Sequence, residues 1–264
     1  MPLPTLFISH GSPMFAVEPG MLGARLGELG RSLPRPRAAV VLSPHWMTRD
    51  IRVQTGDVLD TIHDFRGFPR QLYELTYPAP PAPALAAEVI ASLARRGVEA
   101  HAEADRGRDH GAWVPLMHLF PEADVPVIQI SQPAAPSPLA LLELGQALAT
   151  LREQDILFIA SGSLTHNLQD VFTEHAGETS VEAYVRTFAD WVWQRIDEGA
   201  LGELLDYRRK APFAVRAHPT DEHFLPLFAA IGAAGRDWTQ NARIAGGVAH
   251  GALAMDSFMF GTGP

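Results

Sequence analysis

Short apolar runs bounded by turn formers recur along the chain, among them Leu6-Phe7-Ile8, Val40-Val41-Leu42 and Ile156-Leu157-Phe158-Ile159-Ala160. Runs of this length without polar alternation read as strands buried on both faces of a parallel sheet. The pattern predicts strands over 5–9, 38–43, 51–55, 125–130, 155–160, 243–249 and 252–258. Helical periodicity fills much of the space between them. Residues 82–96 space their Ala and Leu side chains three and four apart, and 138–152 align Leu141, Leu144, Leu148 and Leu151 on one stripe. Residues 180–198 open on Ser180 with Glu182 behind it. Their stripe of Tyr184, Phe188, Trp191 and Ile196 reads as core rather than as a cofactor contact.

Strands alternating with helices predict an α/β fold: a mostly parallel central sheet flanked by helices on both faces. The last two strands meet around Gly251, which suits an antiparallel pair at a sheet edge. No repeat, low-complexity tract or linker divides the chain, so residues 1–264 read as one domain. Two stretches escape the pattern and read as functional loops. One is 56–81, with Gly56, Gly67, Pro69, Pro78, Pro80 and Pro81; the other is 103–122, with Asp105, Asp109, His110, Gly111, Trp113 and Pro115.

The strand assignment changes the meaning of three histidines. His10 and His45 each follow an apolar run, and His166 follows a third after a Ser-Gly-Ser-Leu-Thr turn. Sites in open α/β sheets form beyond the carboxyl ends of the strands. A lone histidine there is more often a satisfied structural residue. Three arriving at one edge point to a metal centre, with His10 and His45 as the leading pair on strands expected to be neighbours. Gly11 allows close backbone approach and Pro44 holds an extended entry.

The segment from His218 to Pro226 resembles a helix start with Thr220 as N-cap. On a helix the adjacent Glu222 and His223 point about 100° apart, so one of them faces a site. His223, beside Phe224, Leu227 and Phe228, is preferred as third ligand. His166, in a polar turn with Asn167, suits acid–base work or a fourth ligand position. His110 is a similar candidate that Asp109 could orient, a structural loop cap being the alternative. His63 beside Asp64 is a weaker substrate contact. His101, His118, His175 and His250 read as structural or surface residues, and His218 is left open.

Composition narrows the chemistry. The chain has no cysteine, which removes thiolate zinc sites, iron–sulfur clusters and disulfides and leaves imidazole and carboxylate as ligands. Its 264 residues bury enough surface to fold without a metal staple, so a bound ion would serve chemistry. A net charge of −9 argues against nucleic-acid partners. No apolar run approaches the ~18 residues of a membrane span, and Met1-Pro2-Leu3-Pro4 lacks a basic leader, so a soluble cytoplasmic protein is expected. Phosphate-cradling, dinucleotide-binding, nucleophile-elbow and His-Glu-x-x-His motifs are absent.

Several stretches together resemble the class III extradiol ring-cleavage dioxygenases, in particular the DOPA-dioxygenase-type branch. They are Ile8-Ser9-His10-Gly11-Ser12-Pro13-Met14, Leu42-Ser43-Pro44-His45-Trp46, Thr61-Ile62-His63-Asp64-Phe65-Arg66-Gly67-Phe68-Pro69, Asp109-His110-Gly111-Ala112-Trp113, Ala160-Ser161-Gly162-Ser163-Leu164-Thr165-His166-Asn167-Leu168 and Glu222-His223-Phe224-Leu225-Pro226-Leu227. The resemblance implies one α/β domain and one divalent ion per chain, Fe(II) for turnover with Zn(II) in the isolated protein. It makes His10, His45 and His223 metal ligands, His166 an acid–base residue or further ligand, and His110 a residue either supporting the ligands from behind or touching the substrate. The wider class carries a glutamate at the third ligand position, where this chain has the Glu222-His223 pair. The partners implied are a catechol-type aromatic diol and O2. A zinc hydrolase and a non-catalytic metal-binding protein are the competing readings.

Overall fold

The computed structural model describes residues 2–172 and 179–261. Its centre is an eight-stranded sheet built from β1 (Thr5–Ser9), β2 (Ala38–Thr48), β3 (Ile51–Gln54), β4 (Ala100–Glu103), β5 (Val127–Pro133), β6 (Ile156–Gly162), β7 (Asn241–Ile244) and β10 (Ser257–Phe260). The strand order is β4-β3-β5-β2-β6-β1-β10-β7. The central strands β5, β2, β6 and β1 run parallel, and β3 on one side and β10 on the other turn antiparallel.

Alternate residues of the apolar strands feed two cores, as a sheet covered on both faces requires. Phe7, Val40, Leu42, Ile128, Ile130, Phe158 and Ala160 face one layer. Leu6, Ile8, Ala39, Val41, Val127, Leu157 and Ile159 face the other. Six longer helices cover these faces: α1 (Gly20–Ser32), α2 (Pro83–Arg95), α3 (His110–Leu119), α4 (Pro138–Leu148), α5 (Thr179–Asp197) and α6 (Pro226–Ala234). α1 and α3 pack on the second core through Leu22, Leu26, Trp113 and Leu116, and the other four pack on the first. α2, α4 and α6 each begin with proline at the first helical position, where its missing N–H costs nothing. α4 and α6 cross so closely that a Cβ on Gly145 would strike the Ala229 carbonyl, and one on Gly232 the Leu142 carbonyl.

The α/β architecture expected from the strand pattern is present, with several corrections. β1 and β2 are not neighbours, since β6 lies between them and pairs with both. β4 was not expected; its side chains are half-buried or exposed and carry no apolar signal. The segments 243–249 and 252–258 divide into four short strands. β8 (Val248–Ala249) and β9 (Leu253–Ala254) form a separate ribbon whose turn holds His250 and Gly251 at positive φ. The antiparallel pairing at the sheet edge is between β10 and β7.

Residues 103–122 are not an irregular loop, because α3 occupies their second half. Gly111 and Pro115 read as breakers, yet both sit inside the helix. The turn before α6 also differs, since the helix begins at Pro226 with Leu225 as its N-cap and Thr220 lies outside it. His175 lies outside the described residues. No helix among the described residues is long and apolar enough to cross a membrane.

Candidate metal and active site

Three neighbouring strands deliver the site. His10 directly follows β1 and is fully buried, its N–H donating to the Gly162 carbonyl at the end of β6 (2.8 Å). β2 pairs in register with β5 as far as Ser43 and resumes at Met47, so Pro44, His45 and Trp46 bulge outward and aim His45 at the same edge. His223 comes from the turn before α6. Its carbonyl accepts from Ser163 N–H (2.8 Å), which ties that turn to the end of β6. Gly162 is required there, because a Cβ would overlap the His223 carbonyl oxygen.

The Nε2 atom of His45 meets two others, lying 3.1 Å from that of His10 and 3.3 Å from that of His223. What holds the opposite nitrogens decides what this proximity means. His223 Nδ1 lies 3.1 Å from Glu222 Oε1, and His45 Nδ1 lies 3.4 Å from Asp64 Oδ2. Carboxylates only accept, so the His223 Nδ1 carries the proton, and the Asp64 charge beside His45 Nδ1 favours the same form there.

His10 is fixed by a longer relay. Pro115 has no N–H to give to the Gly111 carbonyl one helical turn back, and the Ser161 hydroxyl donates to that carbonyl instead. Ser161 Oγ, its proton committed, accepts from His10 Nδ1 at 2.8 Å. The Nε2 atoms of His10 and His223 therefore both present lone pairs toward His45 Nε2. The two distances, 3.1 and 3.3 Å, match those between nitrogens ~2.0–2.1 Å from a tetrahedral ion, which lie about 3.3 Å apart. The donor set fits a divalent transition metal, and the acceptors behind it are those that orient metal-binding imidazoles.

Burial enforces the neutral forms. His10 and His223 are pushed well below the ordinary histidine range by burial and by the surrounding histidines. His45 is lowered by burial and by His110, with Asp64 opposing.

Two further histidines complete the cluster. His110, at the first turn of α3, donates both its backbone N–H (2.9 Å) and its Nδ1–H (3.0 Å) to Asp64 Oδ1. Partial burial raises the Asp64 carboxyl, but these bonds and the His45 and His110 rings overrule it and hold the group at about 2. Asp64, not Asp109, thus orients His110. Asp109 is buried beneath and bound by Ser43 (2.8 Å) and Gln129, with its carboxyl raised by burial.

His166 stacks on His223, the rings 3.6 Å apart and within 7° of parallel, so its nitrogens lie in a separate layer beside that ring. Burial lowers it to about 4. Donor atoms of His10, His45 and His110 lie within 4.8 Å of one another, as do those of His166, Glu222 and His223. The short His45–His223 contact joins the two groups.

These residues open into a cavity of about 580 Å³ whose walls include Met14, Phe65, Phe68, Leu253 and the exposed Phe172. Phe65 stands edge-on to His110, ring centroids 5.6 Å apart. His250 also lines this cavity and was not expected to. His63 is not part of the site; its Nε2 meets the Leu75 carbonyl (3.0 Å) and its ring packs edge-on to Trp113. His118 and His218 are likewise structural, facing the Phe15 and Leu164 carbonyls (2.9 Å each). The orienting groups Asp64 and Ser161 were missed from sequence. A carboxylate next to a histidine in a proline-rich loop was the available signal for Asp64, and none existed for the serine.

Residues 4–252 match the family of catalytic LigB subunits of aromatic ring-opening dioxygenases. With this fold and this histidine cluster, the chain belongs to that family and is an extradiol ring-cleaving dioxygenase. It is 40% identical over 237 residues to the 4,5-DOPA dioxygenase extradiol of Beta vulgaris, covering 88% of this chain and 87% of that one. It is 38% identical to the protein of the same name from Escherichia coli (strain K12), over 88% and 85%. The crystal structure of uncharacterized protein JW3007 from Escherichia coli K12 superposes with a TM-score of 0.76 at 30% identity, over 97% and 99% of the two chains.

Proposed function

We propose that this protein opens a catechol-type aromatic ring next to its two hydroxyls, using one Fe(II) ion and incorporating O2, with residues 1–264 acting as one catalytic domain. His10, His45 and His223 are the ligands in this reading, and Zn(II) is able to occupy the same donors. The observation that carries it is the close approach of His45 Nε2 to those of His10 and His223, whose Nδ1–H groups donate to Ser161 and Glu222, while His45 Nδ1 faces Asp64. A divalent ion bound there supplies Lewis acidity that favours loss of the catechol protons, and open positions that hold both reactants together.

The protein's own groups then divide the remaining work. His166, neutral at pH 7, accepts a proton from a catechol oxygen and returns it as the ring opens. Its layer beside His223 suits a group on the substrate rather than a fourth ligand. His110, its Nδ1–H committed to Asp64, presents an Nε2 acceptor that orients a hydroxyl. Phe65 and the other apolar walls take the ring faces and exclude water.

The test is anaerobic Fe(II) loading followed by oxygen uptake over a panel of substituted catechols, DOPA and protocatechuate included. Uptake matched by ring-opened product is expected. Hydrolysis of an ester panel by the zinc form without oxygen uptake by the iron form would sink the proposal.

A further inference from the structure

The cavity that the histidines open into has one fixed cation among the described residues lining it, Arg66. Its position is set by the site itself. Arg66 lies two residues beyond Asp64, whose carboxylate grips His110 and faces His45, so the two Cα atoms are at most ~7 Å apart. Phe65 between them packs edge-on to His110, and Gly67 behind it turns the chain at φ +79°. Arg66 is exposed at the cavity wall, and no ion pair or hydrogen bond engages its guanidinium among the described residues.

The other charged wall group is already committed. Glu222 Oε1 accepts from His223 Nδ1 and from the Thr220 hydroxyl (2.9 Å). Among the described residues, the remaining titratable wall groups are His45, His110, His166, His223 and His250. An uncommitted guanidinium on the rim of a mostly apolar pocket, in a chain of net charge −9, is a local reversal of the molecule's field.

We infer that Arg66 selects catechols bearing an anionic substituent, a carboxylate on the ring or on a short side chain, by a charge-assisted and bidentate contact at the mouth of the pocket. This rests on the reading of the site as a catechol pocket. The inference concerns the end of the substrate away from the reacting hydroxyls, so Arg66 governs affinity and leaves the chemical step alone.

The experiment compares 3-(3,4-dihydroxyphenyl)propionate, 4-ethylcatechol and dopamine. Binding is measured by calorimetry on the zinc-loaded protein, which has no redox chemistry, and turnover on the iron-loaded protein. Wild-type protein is expected to bind the carboxylate about tenfold more tightly than the neutral catechol and the amine more weakly than either, the spread narrowing at high salt. Arg66→Gln should level the three affinities and raise KM for the carboxylate with kcat nearly unchanged, and Arg66→Lys should recover part of the preference.

Equal wild-type affinity for the three compounds, or an Arg66→Gln loss shared by all of them, overturns the assignment. So does a fall in kcat rather than a rise in KM. Charge-ranked binding to the zinc form without ring cleavage by the iron form would leave Arg66 in place and remove the catalytic reading instead. Wild-type protein that cleaves catechols without ranking them by charge would do the reverse.

Discussion

Ser161 has no charge and no place beside a substrate, yet its hydroxyl determines which nitrogen of His10 is left bare. Replacing it with alanine removes the acceptor behind His10 Nδ1 and the donor that occupies the Gly111 carbonyl. Ser161→Ala is expected to weaken Zn(II) binding by about 10–100-fold in a competition titration, with Ser161→Thr milder. Unchanged affinity would show that the relay does not orient the ring.

The catalytic division makes a second contrast. His166→Ala should keep its metal and lose at least ~100-fold in kcat, whereas His10→Ala should come off a metal-affinity column empty. Ordinary turnover by His166→Ala would contradict its proton-transfer role. His10, His45 and His166 were visible in the sequence because apolar runs announce where a strand ends, and His223 and His110 stood out from a helix-start pattern and a glycine-containing stretch that reads as a loop. The groups behind them were not. Asp64 is separated from its partner His110 by α2 and β4, and its one local signal, the adjacent His63, points to a residue outside the site.

At the scale of elements, the site depends on close approaches that only glycine permits. Gly162 ends β6 against the carbonyl of His223, with the Phe7 ring 2.9 Å and Pro226 3.3 Å from where a Cβ would stand. Gly162→Ala must displace the His223 turn, and a loss of roughly 1–3 kcal/mol is expected in urea unfolding, together with weaker metal binding. Wild-type stability and affinity in this variant would mean that the turn moves freely.

The elements themselves were unevenly legible. β1 appears over the residues its pattern predicts, since all five of its side chains are buried. α3 was hidden because Gly111 and Pro115 are helix breakers on propensity alone. Tertiary contacts override that propensity. A Cβ on Gly111 would overlap Ser43 and lie 2.9 Å from the His45 ring, and the hydrogen bond that Pro115 forfeits is replaced by one from Ser161. The bulge in β2 was equally invisible, because a register shift is a property of two strands.

For the whole molecule, a cluster of buried neutral histidines sets the response to acid. His218 is held at about 3 by burial, against an ordinary value of 6.5, and His10 and His223 are lowered in the same direction. Below pH 6.5 the unfolded chain therefore takes up protons that the folded chain refuses, and stability falls as pH falls, until the folded groups themselves protonate. Each such group contributes a slope approaching ~1.4 kcal/mol per pH unit. For three groups, metal-free protein is expected to lose roughly 4 kcal/mol between pH 7 and 5.5, read as an earlier urea midpoint. Added Zn(II) should restore much of it at pH 7 and progressively less in acid, where protons compete for the same nitrogens. A midpoint constant across this range would refute the buried neutral state of the cluster.

His10 and His223 are 213 positions apart in the sequence, yet the end of β6 holds both, through the Gly162 carbonyl and the Ser163 N–H. During synthesis the ribosome must therefore deliver more than 200 residues after His10 before the clasp can close. A translation product that stops short of His223 would lack one of the three clustered imidazoles, so a metal ion meets the full donor set only after that turn has been made.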